Sequence, residues 1–567
     1  MSLIYEKNMN SEKKNEQRQN KFNIIYASLL FILISFATQY VVGVLINIPK
    51  LIAVFFRFIL IPLTMSLILV ILYKKNLIKL INQKQINFIQ SKYFLFICTL
   101  FYILIVTFLK FLKLNSHQYE FFDSGFYLSR IQKLSDSPTL DAIKIATTDG
   151  HFQPVLLLFS FINAIFDSPH ILYIIQTLMI TSAVIPAFLL ARKYFGNRIH
   201  TYTIPILLLL NPLTQFNDIL GFVPDHVVLP LIIWAFYFDS NKKIFATFLV
   251  MLGIAICGEQ WIPLIIGFSC YQILTHRTSL TGYLNLFFFS FMFIVLLFIW
   301  LPHFGSYSSG QNLLSQNSPY FWIKDASFSE LIKNLFELRK IFFLFFVFGI
   351  FCFLPLLAWP IILVSVPDLA KILLSQELLH YSVEGHYTVG ILGVSLVGLM
   401  HSLNKVRIIY TECFSKKLLA IVFWVCTSFS IAHSPSPISI NFYTLKSAGA
   451  FNLSKYFDSN NNEFFEKLAE IKNNLSIMTV EITNDSFSPT LLRSSKSINI
   501  FPTDNWHNAD LIVIRKNSIM TAGSNSEEKI YNIRYINAKK ELESQFHKVL
   551  ENENYISYIN PKINTLD

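Results

Sequence analysis

The sequence predicts an all-α polytopic membrane bundle of about 12–13 transmembrane helices, followed by a small α/β appendage outside the membrane. Three observations carry this. The 567-residue chain is 53% hydrophobic and only 14% charged, with a mean hydropathy of +0.49, whereas soluble domains carry about 25% charged residues. Apolar runs approaching the length of a span, about 20 residues, recur from residue 22 to residue 434. From about residue 435 the chain turns polar and rich in Asn and Ser.

Residues 1–21 are polar and basic, with Lys7, Lys13, Lys14, Arg18 and Lys21. No small-residue cleavage site follows, so the first apolar run is expected to be an anchor rather than a removable signal. Runs 22–48 and 51–73 predict an added hairpin within 22–92. Runs 93–113, 169–190, 199–213, 226–238, 243–257, 260–275, 283–302, 341–366, 387–403 and 417–434 predict the main transmembrane domain, 93–434. Its large outer loop is 114–151. Residues 152–166 are apolar but short and end at Asp167-Ser168-Pro169, which predicts a helix lying in the outer interface.

Charge sets the orientation. Basic residues gather in 1–21, 74–92 and 191–200, at Lys242-Lys243, at Arg277 and over Lys405 to Lys417, while the short loops near 214–226 and 258–260 hold none. Positive charge stays on the cytoplasmic side, so the N-terminus is expected inside the inner membrane. A single crossing by 341–366 would put Lys405 to Lys417 outside. A broken hairpin hinged near Pro355 and Pro360 keeps them inside, and it is preferred although each arm would be short. The domain 435–567 then lies outside, with a helix at 460–474 and strands at 476–482 and 511–514.

The net charge of +11 is spread over these short loops, which argues for membrane lipid and against nucleic acid as the partner. Six Cys without C-x-x-C spacing read as small buried hydrophobes, not disulfides or metal ligands.

Four polar groups fall on the outer face in this topology. The first is the loop 114–151, with Glu120, Asp123, Arg130, Lys133 and His151. Phe121, Phe122 and Phe126 around Asp123 would partly desolvate a carboxylate and lift its pKa toward a useful base. The same Asp-Ser-Gly suits a turn or a helix N-cap. The second is Asn217-Asp218 with Asp225-His226, costly beside lipid unless it faces a wet cavity. Glu259, the third, interrupts a nearly uncharged stretch between Lys243 and His276; it is either functional or a marker of the outer surface beside Trp261. The fourth runs from Asp368 through Tyr381 to Glu384 and His386. Such convergence argues for a common site. Carboxylates can hold Mg²⁺ or Mn²⁺, yet no spacing here marks a metal centre.

At these residues the chain resembles a prokaryotic membrane family known only as domain of unknown function 2079. Phe122-Asp123-Ser124-Gly125 and His151-Phe152-Gln153-Pro154 match its early motifs. Gly258-Glu259-Gln260 resembles its Lys-Glu-Asp stretch, with Gly and Gln at the flanking positions. Val366-Pro367-Asp368-Leu369, His386-Tyr387, Phe501-Pro502 and Ala509-Asp510 resemble its later elements, so the likeness runs from about residue 93 onward. That family is similar to the GT-C glycosyltransferases, polytopic enzymes that take sugars from polyprenyl-phosphate carriers. The resemblance implies a GT-C-like bundle in which Asp123 engages the acceptor or a metal, and in which an envelope acceptor receives the sugar. Glu259 is the second candidate catalytic residue. His151, Arg130, Lys133, Asp225, His226, Tyr381 and His386 are the candidate substrate-binding residues. The rival expectations are a carrier or flippase of a lipid-linked component, which would use the same site without chemistry, and a non-catalytic membrane scaffold.

Overall fold

A computed structural model describes residues 91–563, apart from 116–121, 149–150, 167, 220, 276–279, 305–319, 377, 383–385, 438, 440–458, 476, 478, 483–496, 502–505, 517–525 and 554. The basic N-terminus and the first hairpin therefore lie outside the described residues, as do Glu120 and Pro502.

Helix α1, Lys92–Asn115, leads into the large loop, which folds into α2 (Phe122–Ser135) and α3 (Thr139–Thr148) and is followed by α4 (Leu156–Phe166). At 11 residues α4 rises only about 17 Å. Phe161, Ile165 and Phe166 on it are exposed, as suits a helix lying at the lipid boundary. The long apolar segment after it is two helices, α5 (Pro169–Ser182) and α6 (Val184–Phe195), ended by Gly196 at φ 65°. Helix α7 (Ile199–Leu210) breaks at Asn211, whose side chain accepts the Leu213 N–H at 2.9 Å and so caps α8 (Pro212–Ile219). Pro212 then stands at the first helical position, where its missing N–H costs nothing.

Three short helices follow, α9 (Val228–Ser240), α10 (Ile244–Ala255) and α11 (Ile262–Thr275), and then α12 (Leu280–Val295). Because α9 and α10 form a hairpin, the turns before α9 and after α10 come to the same end. At the opposite end Lys193 bonds Ser240 and Asn241, Arg198 pairs with Glu412 at 2.9 Å, and Arg407 lies over Phe195. The bundle thus has a basic end and a site end.

The region 341–366 is a hairpin. Helix α13 (Phe328–Leu335) and α14 (Leu338–Gly349) lead to a turn at 350–353, and the chain returns through short helical pieces to α15 (Val366–Leu374). Lys340 Nζ, at the start of α14, donates to Leu373 O at 2.6 Å, so both arms open at the same end. The hinge differs from the expected one. Cys352 and Phe353 make the turn at φ 54° and 57°, a conformation that costs a non-glycine residue energy. Pro355 and Pro360 instead begin the returning helical pieces, where proline is tolerated. Helices α16 (Val389–Ile409) and α17 (Glu412–His433) complete the bundle. Six segments among the described residues are long and apolar enough to cross a membrane: Lys92–Leu112, His170–Phe195, Leu280–His303, Leu354–Leu374, Val389–Ile409 and Glu412–His433. The fourth is the returning arm of the hairpin. The architecture is the expected all-α polytopic bundle.

The C-terminal unit is a layered α/β fold. Its helices are α18 (Ser459–Asn474) and α19 (Ser526–Gln545), and its strands are β1 (Thr479–Ile482), β2 (Ser497–Ile500), β3 (Leu511–Arg515), β4 (His547–Glu551) and β5 (Tyr555–Ile559). The sheet order is β2-β1-β3-β5-β4, with β2, β1 and β3 parallel and the rest antiparallel. Alternation along β3 sends Leu511 and Val513 toward the α18 face with Phe465 and Leu468, and Ile512 and Ile514 toward α19 with Ala538 and Leu542. The α18 face is continuous with the apolar core of the bundle, and β2 lies alongside α2.

Candidate functional site

Four connections meet at the site end: the segment 151–155, the turn Pro224–Val227 before α9, the turn 256–261 between α10 and α11, and the stretch 366–388. Gly258 adopts φ 156°, a backbone conformation open to glycine, next to Glu259, which meets residues 151 and 152 at the end of the large loop. Val155 N–H donates to Ile256 O at 3.1 Å, laying the loop across the turn. Glu259 then takes two donors. His151 Nδ1 lies 2.6 Å from Oε1, and Phe152 N–H donates to Oε2 at 2.9 Å. A carboxylate offers only lone pairs, so the first contact requires the proton on Nδ1.

Gln153 is the junction of the site. Its Nε2 donates to Tyr127 Oη and to Asp225 Oδ1, each at 3.2 Å. Its Oε1 accepts Arg130 NH1 at 2.8 Å, and Arg130 NH2 reaches Ile145 O at 3.3 Å. Gln260 Nε2 donates to the second Asp225 oxygen. Lys371 Nζ donates to Gln260 O at 2.9 Å, forms an ion pair with Asp368 Oδ1 at 2.7 Å, and lies 5.1 Å from the Trp261 ring and 5.9 Å from that of Tyr387. Tyr387 in turn meets His380 edge-on at 4.4 Å. Buried polar groups of this kind are costly unless partnered, and here one set of contacts centres on Glu259 and another on Gln153 and Asp225, side by side along residues 151–153 and 259–260.

Burial and neighbouring charges divide the titratable groups. Burial lifts the Asp225 carboxyl to about 7, against the opposing charges of His151 and Lys371. Burial also works against the charged forms of His151 and Glu259, but each outweighs that for the other: the His151 pKa is raised and that of Glu259 lowered. Burial, with Lys371 and His151 adding to it, lowers His380 to about 3 and keeps it neutral.

Of the residues singled out in the sequence, His151, Glu259, Asp225 and Arg130 are therefore brought together. His226 is buried on the same turn as Asp225. Tyr381 is buried beneath Lys340, 5.0 Å from its ring centre, next to His380. Lys133 lies on α2 one turn beyond Arg130 but is exposed. Asp123 is the second residue of α2, and His386 begins the short helix His386–Thr388; the side chains of both lie outside the described ones. Among the described residues no group of three His, Cys, Asp or Glu side chains could hold a metal ion.

The sequence reading passed over Gln153, Gln260 and Lys371 as site members. Asp368 and Lys371 stand three apart on a helix, a spacing that pairs opposite charges, and this was the available signal for Lys371. It named Asn217 and Asp218 but not the buried partners that make them a second cluster. Lys110, inside the first described span, pairs with Asp218 at 2.5 Å, and Thr177 Oγ1 bonds both. Neighbouring Asn217 Nδ2 donates to Thr388 Oγ1 at 2.9 Å, which ties this cluster to the residue after Tyr387.

The chain matches the family described as Predicted membrane protein (DUF2079) over residues 136–486. The match takes in the end of the loop from α3 on, the bundle from α4 to α17 and strand β1, and starts after Asp123. No curated protein matches the chain.

Proposed function

Because the chain belongs to the DUF2079 family of predicted membrane proteins, whose chemistry that description leaves open, we propose that it is a GT-C-like transferase. It moves a sugar from a polyprenyl-phosphate donor to an envelope acceptor, on the membrane face opposite the basic end of the bundle. Asp123 deprotonates an acceptor hydroxyl, which attacks the anomeric carbon with inversion. Arg130, Lys371 and His151 set positive potential where the phosphate leaves.

One observation carries the reading. Glu259, His151, Asp225, Arg130 and Lys371 gather at one end of an apolar bundle, in hydrogen-bonded sets joined through residues 151–153 and 259–260, and are reached by the loop whose helix α2 carries Asp123 as its second residue. Ionisable groups so placed in a membrane protein are expensive and mark a working site. Positive charge at the other end supports an outer position for the site, and with it for the C-terminal unit, through the positive-inside rule.

The test is transfer of radiolabelled sugar from the lipid carrier in membranes. Loss of a general base costs about 10²–10⁴-fold, so Asp123→Asn is expected to lower transfer at least about a hundredfold at unchanged protein level. Activity surviving that substitution removes the assignment. A second reading, a carrier of the same lipid-linked molecule, draws on the broken hairpin 338–374, since broken helices line transport sites. Passage of the intact lipid-linked sugar across vesicles, without transfer, would favour it.

A further inference from the structure

We infer that His151 and Glu259 work as an acid and its orienter: Glu259 fixes the imidazole so that His151 Nε2–H donates a proton to the phosphate oxygen that leaves the sugar. This rests on the transferase reading above and adds a second proton-handling group to Asp123.

The roles follow from which lone pairs and protons are already used. Both Glu259 oxygens are engaged, one by His151 Nδ1 and one by Phe152 N–H, and the carboxylate is buried. With a donor on each oxygen and its side chain buried, it is a positioning residue. His151 is the reverse: its Nδ1 is held while the side chain keeps 32% of its surface exposed. The imidazole is therefore fixed at one nitrogen and presented at the other. The remaining cations are worse proton donors. Arg130 is buried with NH1 and NH2 given to Gln153 and Ile145, and a guanidinium does not deprotonate in this pH range. Lys371 spends donors on Asp368 and Gln260 O. Asp225, also buried, accepts from Gln153 and Gln260.

The step balances. The acceptor O–H proton passes to Asp123, the new O–C1 bond forms, and the C1–O bond to phosphate breaks with its electron pair on the phosphate oxygen. His151 Nε2 protonates that oxygen, so the carrier leaves as polyprenyl phosphate in its monoanionic form. Exchange with water returns a proton to His151 and removes one from Asp123. Four groups face the imidazole electrostatically: Glu259 and Asp225 favour its charged form, Arg130 opposes it, and His380 is itself held neutral.

The experiment follows the full-length protein in lipid nanodiscs by histidine C2-hydrogen exchange and mass spectrometry, which gives a titration midpoint for each histidine. For His151 the midpoint is expected above the ordinary 6.5, to fall in Glu259→Gln, and to rise further when polyprenyl phosphate is added to the wild type. Binding of polyprenyl phosphate is read in parallel against pH. A charge-assisted hydrogen bond is worth about ten- to a hundredfold in affinity. Binding is expected to weaken by that factor as pH rises through the His151 midpoint, and His151→Gln should bind weakly at every pH. A His151 midpoint that ignores polyprenyl phosphate, or a pH profile unchanged in His151→Gln, overturns the dyad and leaves the transferase reading standing. Failure of the wild type to bind polyprenyl phosphate at any pH overturns the transferase reading itself, and the dyad with it.

Discussion

Replacement of Lys110 by Met tests the interior of the bundle independently of any activity. Lys110 and Asp218 are both fully buried, 2.5 Å apart, with Thr177 Oγ1 shared between them and Tyr173 O the further acceptor for the ammonium. At that separation and an effective dielectric of about 20, the attraction is roughly 7 kcal/mol. Most of it is offset by the desolvation of two ions, so the pair is worth little against apolar groups of the same shape. Removing one partner is different, because the other ion stays buried without its countercharge, at a cost of about 3–5 kcal/mol. Lys110→Met and Asp218→Asn should each destabilise by that amount. The double variant should return to within about 1 kcal/mol of the wild type, a non-additivity of at least about 5 kcal/mol given those single costs. Equilibrium unfolding by SDS in mixed micelles gives all four stabilities. Single variants each costing less than about 1 kcal/mol, or a double variant costing their sum, would refute a coupled buried pair.

Two other outcomes follow from the hairpin 338–374. A Cβ on Gly267 would stand 2.2 Å from Val364 O. Gly267→Ala must therefore push the returning arm away, at about 1–3 kcal/mol, and weaken the contact of Lys371 with Gln260 O; unchanged stability in the same SDS titration would show that the arm is not seated there. Cysteines placed at Glu337 and Gln376, in a background without the native thiols, should both react with a membrane-impermeant maleimide added from one side of sealed vesicles, because Lys340 and Leu373 bring the two arms out together. Labelling from opposite sides would mean that the segment crosses once.

What the sequence made legible was the part of the fold that depends on local pattern. Apolar runs gave the helices within a few residues, as with 243–257 against Ile244–Ala255 and 260–275 against Ile262–Thr275. The hairpin could be argued from loop charge alone, yet its hinge could not. Proline signals a break but does not say which side of it the turn falls on, and the strain went to Cys352 and Phe353 instead. In the C-terminal unit β3 was readable as Leu511–Ile514 because it is apolar on both faces between two helices. The edge strand His547–Glu551 was not, since four of its five residues are exposed and its composition resembles a loop.

The candidate site shows a different limit, and it concerns roles more than membership. Glu259 stood out in the sequence because it was alone among apolar residues, and isolation reads as chemistry. Its partners His151 and Phe152 lie 108 and 107 positions away, so no pattern within a helix or turn could show that both its oxygens were already taken. The same long reach hid Gln153, a neutral side chain that joins Arg130, Tyr127 and Asp225 across three elements. A lone acid in a membrane sequence signals that something polar must meet it, because an unpaired one is too costly. Whether the partner is a substrate or another side chain is decided only by the fold. Here the fold gives the two Glu259 oxygens to His151 and Phe152, and in the proposed dyad the reactive position is the residue that keeps 32% of its side chain exposed, not the one conspicuous in the sequence.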